Sequence, residues 1–460
     1  MKKSFVLLLI VSVLLAQTQA QAQTQAQVQT NSISEQEYQS LLKRIEALEK
    51  KQPTSDTSER KKRVGKFVVG GYGEAVTHRF FYSDDYNRYR YPENYKDVKS
   101  RGQFDLPHVV FMLGYEFPKG WKFSAEIEFE HGGTESAIEM EADEFGEYES
   151  EIERGGEVAL EQFWLEKSFN DAVNIRLGHI IVPVGLTNAH HLPTEYLSVL
   201  RQEEETTILP STWHETGISF WGKKNNWRYE ALFIAGLNAD QFSDANWING
   251  ASASPYEFKL ANAYAGAFRI DNYSVKGLRL GLSGYYGHSA ANSLKADRYK
   301  NLRGAVIIGA FDFEYKAHNF WLFGNADYGH LTEAGEISRI NKSMSKTSPS
   351  PHTNVASDAL SGSFYMGYDF FGLSKKLQEK DMKFYVFGHY GYVNSMFMTT
   401  EGILADKRFE KYIVSAGVNY YPIKEVVIKL EYQSRLFPDA VYNTEHTVSL
   451  GIMYSGIFKF

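Results

Sequence analysis

The chain has 460 residues, no cysteine and a formal net charge of −7 at pH 7. The lack of cysteine excludes disulfide scaffolds, thiolate zinc sites and cysteine nucleophiles, and the mild acidity argues against a nucleic-acid binder, which needs a basic surface. The mean hydropathy of −0.38 is typical of a soluble protein. It does not exclude a membrane β-barrel, because only every second strand residue meets lipid there.

Residues 1–22 have the pattern of a secretory signal peptide. A basic pair precedes an almost unbroken apolar run from Phe5 to Ala16, and Ala20-Gln21-Ala22 supplies a cleavage site. The run is shorter than the roughly 20 residues that a membrane-spanning helix needs. We therefore expect an exported protein whose signal peptide is cleaved.

Residues 23–65 are predicted to form a low-complexity linker and a short periplasmic helix. Tyr38, Leu41, Ile45 and Leu48 recur at the spacing of a heptad seam. Two interpretations stay open, since two heptads are marginal alone. The segment is either a lone amphipathic helix or a short coiled coil that ties an oligomer together.

From Lys66 onward the apolar pattern changes to the period of a β-strand. In the clearest segment, Trp121, Phe123 and Ile127 alternate with polar Lys122 and Glu126. Sixteen segments of this kind, most about 9–13 residues long, match the length of a tilted strand that crosses a bilayer. Their predicted starts are Phe67, Phe104, Trp121, Val158, Val173, Gly217, Trp227, Ala261, Leu278, Gly304, Phe320, Gly362, Met382, Tyr412, Val426 and His446.

The connections between these segments alternate between seven short turns and eight long polar loops. That alternation is typical of outer-membrane barrels, because strands can cross lipid only as a closed sheet. A soluble β-sandwich offers no reason for long loops on one side only. The sequence therefore predicts an all-β, antiparallel transmembrane barrel of about 16 strands over residues 66–460, wide enough for an aqueous lumen.

The last strand carries an assembly signal of its own. Tyr454, Phe458 and the terminal Phe460 share the apolar face of an alternating segment. An aromatic end of this kind resembles the signal that the outer-membrane assembly machinery recognises. We expect all three residues to contact outer-membrane lipid.

The barrel segment resembles the phosphate-selective porins O and P, in the branch found in Bacteroidetes. The similarity covers roughly residues 66–460 and is best over Asn174-Ile175-Arg176-Leu177-Gly178-His179 and Pro183-Val184-Gly185-Leu186. Tyr196-Leu197, Leu209-Pro210 and the strand from Glu215 to Trp221 follow. In that family the G-x(4)-P-x-G-L strand end introduces a loop that folds into the barrel and narrows it.

The resemblance implies a sixteen-stranded, homotrimeric passive channel in the bacterial outer membrane. The predicted function is that of a porin for small hydrophilic solutes or ions, with anions and phosphate as the family's substrates. Two alternatives stay open: a non-conducting structural or surface-display barrel, and a substrate-specific nutrient channel. Neither an enzyme motif nor a cofactor site is evident, and no catalytic residue is predicted.

Charges that line the narrow part of a pore set its selectivity. The strand alternation predicts inward-facing basic residues at Arg176, Arg228, Arg269, Arg279, Lys316, Lys383 and Lys429, with His389 able to join them. It predicts inward acids at Glu126, Glu128, Glu230, Asp312, Glu314, Asp327 and Glu431. The expected constriction residues are also mixed in sign: Arg201, Glu203, Glu204 and Glu205. This mixture departs from the basic lining of the anion-selective family members, and the pairs could equally cross-link neighbouring strands.

The second long loop is strongly acidic, with thirteen acids and one arginine between Glu126 and Glu157. It is either a solvated outer loop, which we favour, or a vestibule that gathers cations. His190-His191 and Trp213-His214-Glu215 lie at opposite ends of another loop and could meet. They lack a nearby third ligand, so no metal site is predicted.

Overall fold

The computed structural model describes residues 65–132, 158–252, 258–293, 295–439 and 441–460. The signal peptide, the heptad segment and most of the acidic loop lie outside this range. The described chain forms one sheet of seventeen strands. They are β1 (Lys66–Phe80), β2 (Gly102–Asp105), β3 (His108–Glu116), β4 (Trp121–Glu130), β5 (Val158–Asn170), β6 (Val173–Ile181), β7 (His214–Lys224), β8 (Trp227–Ala235), β9 (Tyr264–Asn272), β10 (Leu278–His288), β11 (Ala305–Ala317), β12 (Phe320–Leu331), β13 (Asp358–Asp369), β14 (Lys383–Met398), β15 (Glu410–Ile423), β16 (Val426–Leu436) and β17 (Glu445–Lys459).

The sheet closes on itself. On one side β1 pairs with β17, from Val68 opposite Lys459 to Phe80 opposite Thr447. On the other side it pairs with β3 and then with β2. Because β2 and β3 share one position, the seventeen strands fill sixteen positions around the wall. The predicted antiparallel barrel of about 16 strands is therefore confirmed.

Each strand separates an apolar outer face from an inner face. In β9, the outward side chains of Tyr264, Phe268 and Ile270 are 40–56% exposed, whereas the inward Ala267 and Arg269 are buried. Lipid would cover the outer face, and each of the sixteen wall positions has backbone partners on both sides, as a bilayer requires. Most strands begin where the alternation predicts, although β13 starts at Asp358 rather than Gly362. Leu360 is the single large apolar residue between Asp358 and Ser361, so the alternation is weak there.

The helices are short and lie in the connections: α1 (Asn87–Arg90), α2 (Pro92–Tyr95), α3 (Leu186–Ala189), α4 (Glu203–Ile208), α5 (Ala334–Lys342) and α6 (Lys375–Gln378). Single 3-10 turns occur at Pro118–Gly120, Ala239–Gln241, Asn249–Ser252, Ala290–Asn292, Ala296–Tyr299, Phe371–Leu373 and Lys407–Phe409. No helix in the described ranges is long and apolar enough to cross a membrane.

The long loops build an apolar core at their end of the barrel. Phe242, Trp247 and Ile337, from two of these loops, are fully buried and belong to the same cluster as Val306 of β11 and Leu331 of β12. The Trp247 indole also donates a hydrogen bond to the Ala356 carbonyl, at 3.2 Å. These loops are therefore packed against the barrel wall rather than held in solvent.

Candidate pore constriction

The loop between β6 and β7, residues 182–213, folds into the barrel; we call it the constriction loop. It begins with Val182 and Val184, which are fully buried. Gly185 then adopts a φ of +84°, where a Cβ atom would lie 2.1 Å from the Glu205 Oε1 atom. Only glycine fits there, because it alone adopts this conformation without cost and leaves room for the carboxylate. This explains the Pro-Val-Gly-Leu sequence at the strand end.

The two ends of the loop are held together by Glu205 of α4. Its carboxylate accepts hydrogen bonds from the backbone N–H groups of Leu186, at 3.0 Å, and Thr187, at 2.9 Å. The same end is fixed to the near wall, where Arg269 donates to the Gly185 carbonyl at 3.0 Å. The irregular backbone therefore has the internal partners that burial demands.

The middle of the loop reaches β15 and β16, on another part of the wall. Lys429 donates to the carbonyls of Tyr196 and Ser198, both at 2.8 Å. Asn419 donates to the Leu197 carbonyl at 2.8 Å. These bonds join residues more than 200 positions apart in the chain.

Apolar contacts reinforce this attachment. Leu197 and Val199 are fully buried and cluster with Tyr365, Phe387 and Met453 of the wall. Burying an aliphatic side chain of this size contributes about 1.5–3 kcal/mol. The loop is thus held by both hydrogen bonds and packing.

The four expected constriction residues have different partners, three of them on the wall and one within the loop. Arg201 donates to the Tyr72 hydroxyl at 3.2 Å, and Glu203 binds Arg435 at 2.7 Å. Glu204 lies 3.0 Å from His389, and Glu205 binds loop backbone as described. Sequence adjacency indicated one mixed cluster, but the helical turn of α4 directs its three carboxylates to different places.

The electrostatics of Glu203 follow from these partners. Burial by itself would raise the pKa of this carboxyl, but Arg435 and Lys411 together hold it below its ordinary value. Lys411 contributes at 3.6 Å and Arg435 at 2.7 Å. Glu203 is therefore an anionic anchor, and neither partner could be predicted from the local sequence pattern.

Four of the predicted pore-lining arginines form one continuous ionic network on the inner wall from β5 to β11. Arg176 lies 3.0 Å from Glu166 and 3.7 Å from Glu230. The other three arginines also bind carboxylates. Arg228 contacts Glu230 at 2.5 Å and Asp271 at 3.5 Å. Arg269 contacts Asp271 and Asp312, both at 2.9 Å, and Arg279 contacts Asp271 at 3.3 Å as well as Asp312. Every one of these guanidinium groups therefore has carboxylate neighbours.

The remaining predicted lining residues differ in their exposure. Lys316 contacts Glu314 at 2.6 Å and lies over the Trp321 ring, and Lys383 is exposed at the start of β14. Lys429 is fully buried, because the constriction loop covers it. Lys429 faces inward as the alternation predicts, but the loop covers it, so it holds the loop in place and does not line the pore.

Sequence reasoning missed several acidic members of this site. Glu166 and Asp271 complete the arginine network, and both lie at inward positions of their strands. Asp271 stands two residues after Arg269, so the same alternation that identified the arginine could have found it. The sequence also missed Glu74, His108 and Glu161, which lie near strand irregularities where simple alternation fails.

We expected that His190-His191 and His214 could meet, but no hydrogen bond, ion pair or ring contact joins them among the described residues. His190 lies 3.9 Å from Glu195, and His191 packs against the Tyr72 ring. His214 packs against His179. Burial, with Arg201 nearby, lowers the pKa of His191 to about 3. Burial also lowers the pKa of His190 to about 4, helped by Arg279.

Comparison with known proteins places the fold among porins. No protein-family model matches the chain. An uncharacterized protein of Aquifex aeolicus (strain VF5) is 25% identical over 397 residues, which covers 84% of this chain and 79% of that protein. Salmonella typhi OmpF, solved in complex with daunomycin, has a TM-score of 0.50 at 12% identity over 85% of this chain and 97% of its own. The outer membrane channel DcaP of Acinetobacter baumannii has a TM-score of 0.47 at 11% identity, covering 85% and 97%.

The similarity to OmpF shows that the described chain has a porin fold. It agrees with the closed sixteen-position wall described above. Membership of the phosphate-selective porin family stays a prediction, since that family is not among these findings.

Proposed function

We propose that the protein is a passive outer-membrane channel for small hydrophilic solutes or ions, narrowed by the constriction loop. The observation that carries this proposal is the attachment of residues 196–199 to β15 and β16 through Lys429, Asn419 and Glu431. A loop fixed across the interior of a barrel of this width limits the size of what passes. No enzymatic step is part of the proposal.

We propose weak ion selectivity rather than phosphate specificity. The arginine network from Arg176 to Arg279 is matched by wall carboxylates. Matched charges produce little net field at distances beyond about 8–10 Å in physiological salt. Phosphate and other anions should therefore pass without strong binding.

The proposed setting is the bacterial outer membrane, with three copies of the chain in a homotrimer. The apolar outer face supports contact with lipid, and the exposed aromatic side chains of Tyr454, Phe458 and Phe460 support recognition by the assembly machinery. Signal-peptide cleavage after residue 22 belongs to the same proposal.

One observation favours a second candidate function. The long loops share a buried apolar core that includes Trp213, Phe242 and Trp247, so the interior at this end is extensively packed. A barrel packed in this way could conduct only a narrow class of solutes or could serve to display its loops. This second candidate is a substrate-specific or non-conducting barrel.

Single-channel recording of the purified protein in a planar bilayer tests the proposal. We expect stable conductance in potassium chloride, without saturation by millimolar phosphate. Lys429→Gln should raise the conductance or its fluctuations at least twofold, because it removes charged hydrogen bonds worth about 1.5–3 kcal/mol each.

Lys376→Gln is the matched control, since Lys376 is exposed on α6, in the turn between β13 and β14, and is not a predicted pore-lining residue. It should leave the conductance unchanged. Absence of conductance in the unmodified protein and in Lys429→Gln would contradict the channel and favour the display barrel. Saturation by phosphate would restore the specificity of the resembling family.

A further inference from the structure

A compact group of metal-binding side chains lies on the inner wall of β3 and β4. His108 stands directly opposite Glu130 in the strand register, and Glu128 is two residues before Glu130 on the same face. One potential ligand atom from each of these residues lies within 4.8 Å of the other two. The antiparallel register brings them together, because opposed and diagonal residues on one face are neighbours.

Two irregularities of the strands lie next to this group of side chains. The break between β2 and β3 places His108 at the start of a strand, directly after Pro107. On the other side, a bulge in β5 shifts the register between Gln162 and Leu160, so Glu161 and Gln162 both face inward and are buried. Bulges re-aim side chains and often flank functional sites.

Two carboxylates at this place, those of Glu128 and Glu161, are buried and each has an oxygen without a hydrogen-bond partner among the described residues. Glu128 is 2% exposed, and its Oε1 atom has no hydrogen-bond partner among the described residues. Its carboxyl lies against that of Glu161, whose Oε1 atom also makes no hydrogen bond within that range and has the His214 Nε2 atom 3.9 Å away. Two facing buried carboxylates repel each other unless a cation or a shared proton lies between them.

The His108 imidazole has a further carboxylate beside it. His108 Nδ1 lies 3.3 Å from the Glu74 Oε1 atom. A carboxylate beside one ring nitrogen commonly orients a metal-binding imidazole, whose other nitrogen then faces the ion. Glu74 accepts a further hydrogen bond from the Tyr196 hydroxyl at 3.3 Å, which connects the group to the constriction loop.

The local charge also favours a cation. Glu74, Glu128, Glu130 and Glu161 share this part of the interior with Arg201, which reaches the Tyr72 hydroxyl at 3.2 Å. Burial alone would lower the pKa of Arg201, but Tyr72, Tyr196 and the facing glutamates raise it. Four carboxyl groups therefore share this region with the single guanidinium group of Arg201.

We propose that His108, Glu128 and Glu130, with Glu161 as a fourth ligand, bind one divalent first-row transition-metal ion of the Zn²⁺ and Co²⁺ type. A donor set of one imidazole and carboxylates suits these ions, whereas Ca²⁺ and Mg²⁺ prefer oxygen ligands alone. Metal–ligand bonds of about 2.1 Å require the side chains to close around the ion by small rotations. The ion would link β3, β4 and β5 and add positive charge near the constriction loop.

The full-length protein, purified in detergent after chelation, allows a direct test. Zn²⁺ titration calorimetry should show one tight site per chain, and Co²⁺ should give visible absorption bands of a nitrogen- and oxygen-ligated ion. Glu128→Gln and His108→Gln should each weaken Zn²⁺ binding at least tenfold. Ca²⁺ should compete poorly for the site.

Two matched controls separate this site from other acidic groups. Glu116 lies at the other end of β3 and pairs with Lys459 at 2.7 Å. The Glu116→Gln protein should therefore bind Zn²⁺ with the affinity of the unmodified protein. The fourfold variant E147Q/E149Q/E151Q/E153Q removes charge from the acidic loop and should also retain the tight site.

Folding of each variant is checked by its heat-resistant migration in gels and by circular dichroism. A folded Glu128→Gln or His108→Gln protein that binds Zn²⁺ with unchanged affinity would overturn the proposal. A lack of stoichiometric Zn²⁺ binding in the unmodified protein would also overturn it. In that case a shared proton, and no metal ion, would lie between the Glu128 and Glu161 carboxyls. Loss of the site in the fourfold loop variant alone would move it to the acidic loop and likewise contradict the assignment.

Discussion

At the scale of single residues, the barrel interior is organised by charge pairing. Lys429 is fully buried and gives its hydrogen bonds to loop carbonyls, so its charge stabilises a backbone crossing. Arg269 acts in the same way, since it binds Asp312 at 2.9 Å and also the Gly185 carbonyl. A basic residue on the inner face is therefore as much a structural anchor as a selectivity element.

The constriction loop should loosen in acid because of His191. In the folded protein, burial and Arg201 lower the pKa of this imidazole to about 3, far below its value of about 6.5 in an unfolded segment. The open loop therefore binds more protons between these values, and the stability of the closed loop falls as pH falls. At pH 5 we expect the free energy that favours the closed loop to be about 1–2 kcal/mol smaller than at pH 7, which corresponds to roughly tenfold more opening.

Hydrogen exchange of peptides from residues 182–213, compared at pH 7 and pH 5 after correction for intrinsic rates, measures this opening. His191→Gln should flatten the pH dependence. His318→Asn is the control, because His318 is exposed in a short turn where asparagine tolerates its positive φ. If loop opening in the His191→Gln protein depends on pH as strongly as in the unmodified protein, another group controls the loop.

At the scale of elements, the last strand has two separable roles. The Phe460 backbone N–H donates to the Phe67 carbonyl at 2.9 Å and so helps to close the barrel. The Phe460 side chain is 79% exposed and contributes little to that closure. A substitution of the side chain therefore tests recognition of the strand rather than stability of the barrel.

Phe460→Ser should reduce the amount of assembled protein in the outer membrane several-fold and leave unassembled chain in the periplasm. Immunoblots of fractionated cells measure both pools. The matched control is Phe67→Ser, since Phe67 is also an exposed aromatic at the same end of the barrel but lies on β1. If the Phe460→Ser and Phe67→Ser proteins reach the outer membrane in equal amounts, Phe460 has no specific role in assembly.

At the scale of the whole molecule, ion selectivity depends on the balance of charges along the interior. Arg176 belongs to the wall network, and Arg201 lies on the constriction loop. Replacing both with alanine leaves Glu166 and the glutamates near Arg201 less compensated. The zero-current potential in a salt gradient should therefore move toward cation preference, by a few millivolts only, because the remaining paired charges are screened beyond about 8–10 Å in physiological salt.

Arg339→Ala provides the control for this measurement. Arg339 is exposed on α5, where it pairs with Glu336 at 2.8 Å, and its loss should not change the zero-current potential. A move toward anion preference in the double variant would contradict the assigned balance.

The chain's local pattern was sufficient to determine the wall. A period of two is a property of adjacent residues, so strands such as β4, β8 and β16 begin at the predicted Trp121, Trp227 and Val426. The alternation of turn and loop lengths likewise depends only on spacing along the chain. Together they fixed the fold class, the strand number and the inward face of residues such as Arg176.

The interior was decided only by the tertiary structure. Lys429 and Tyr196 are 233 positions apart, and no local pattern indicates that they meet. The bulge that turns Glu161 toward Glu128, and the divergent partners of Glu203 and Glu204, also depend on contacts between distant strands. The physical reason is that burial and pairing in a closed barrel are set by what lies across the lumen, whereas periodicity reports only which face a residue is on.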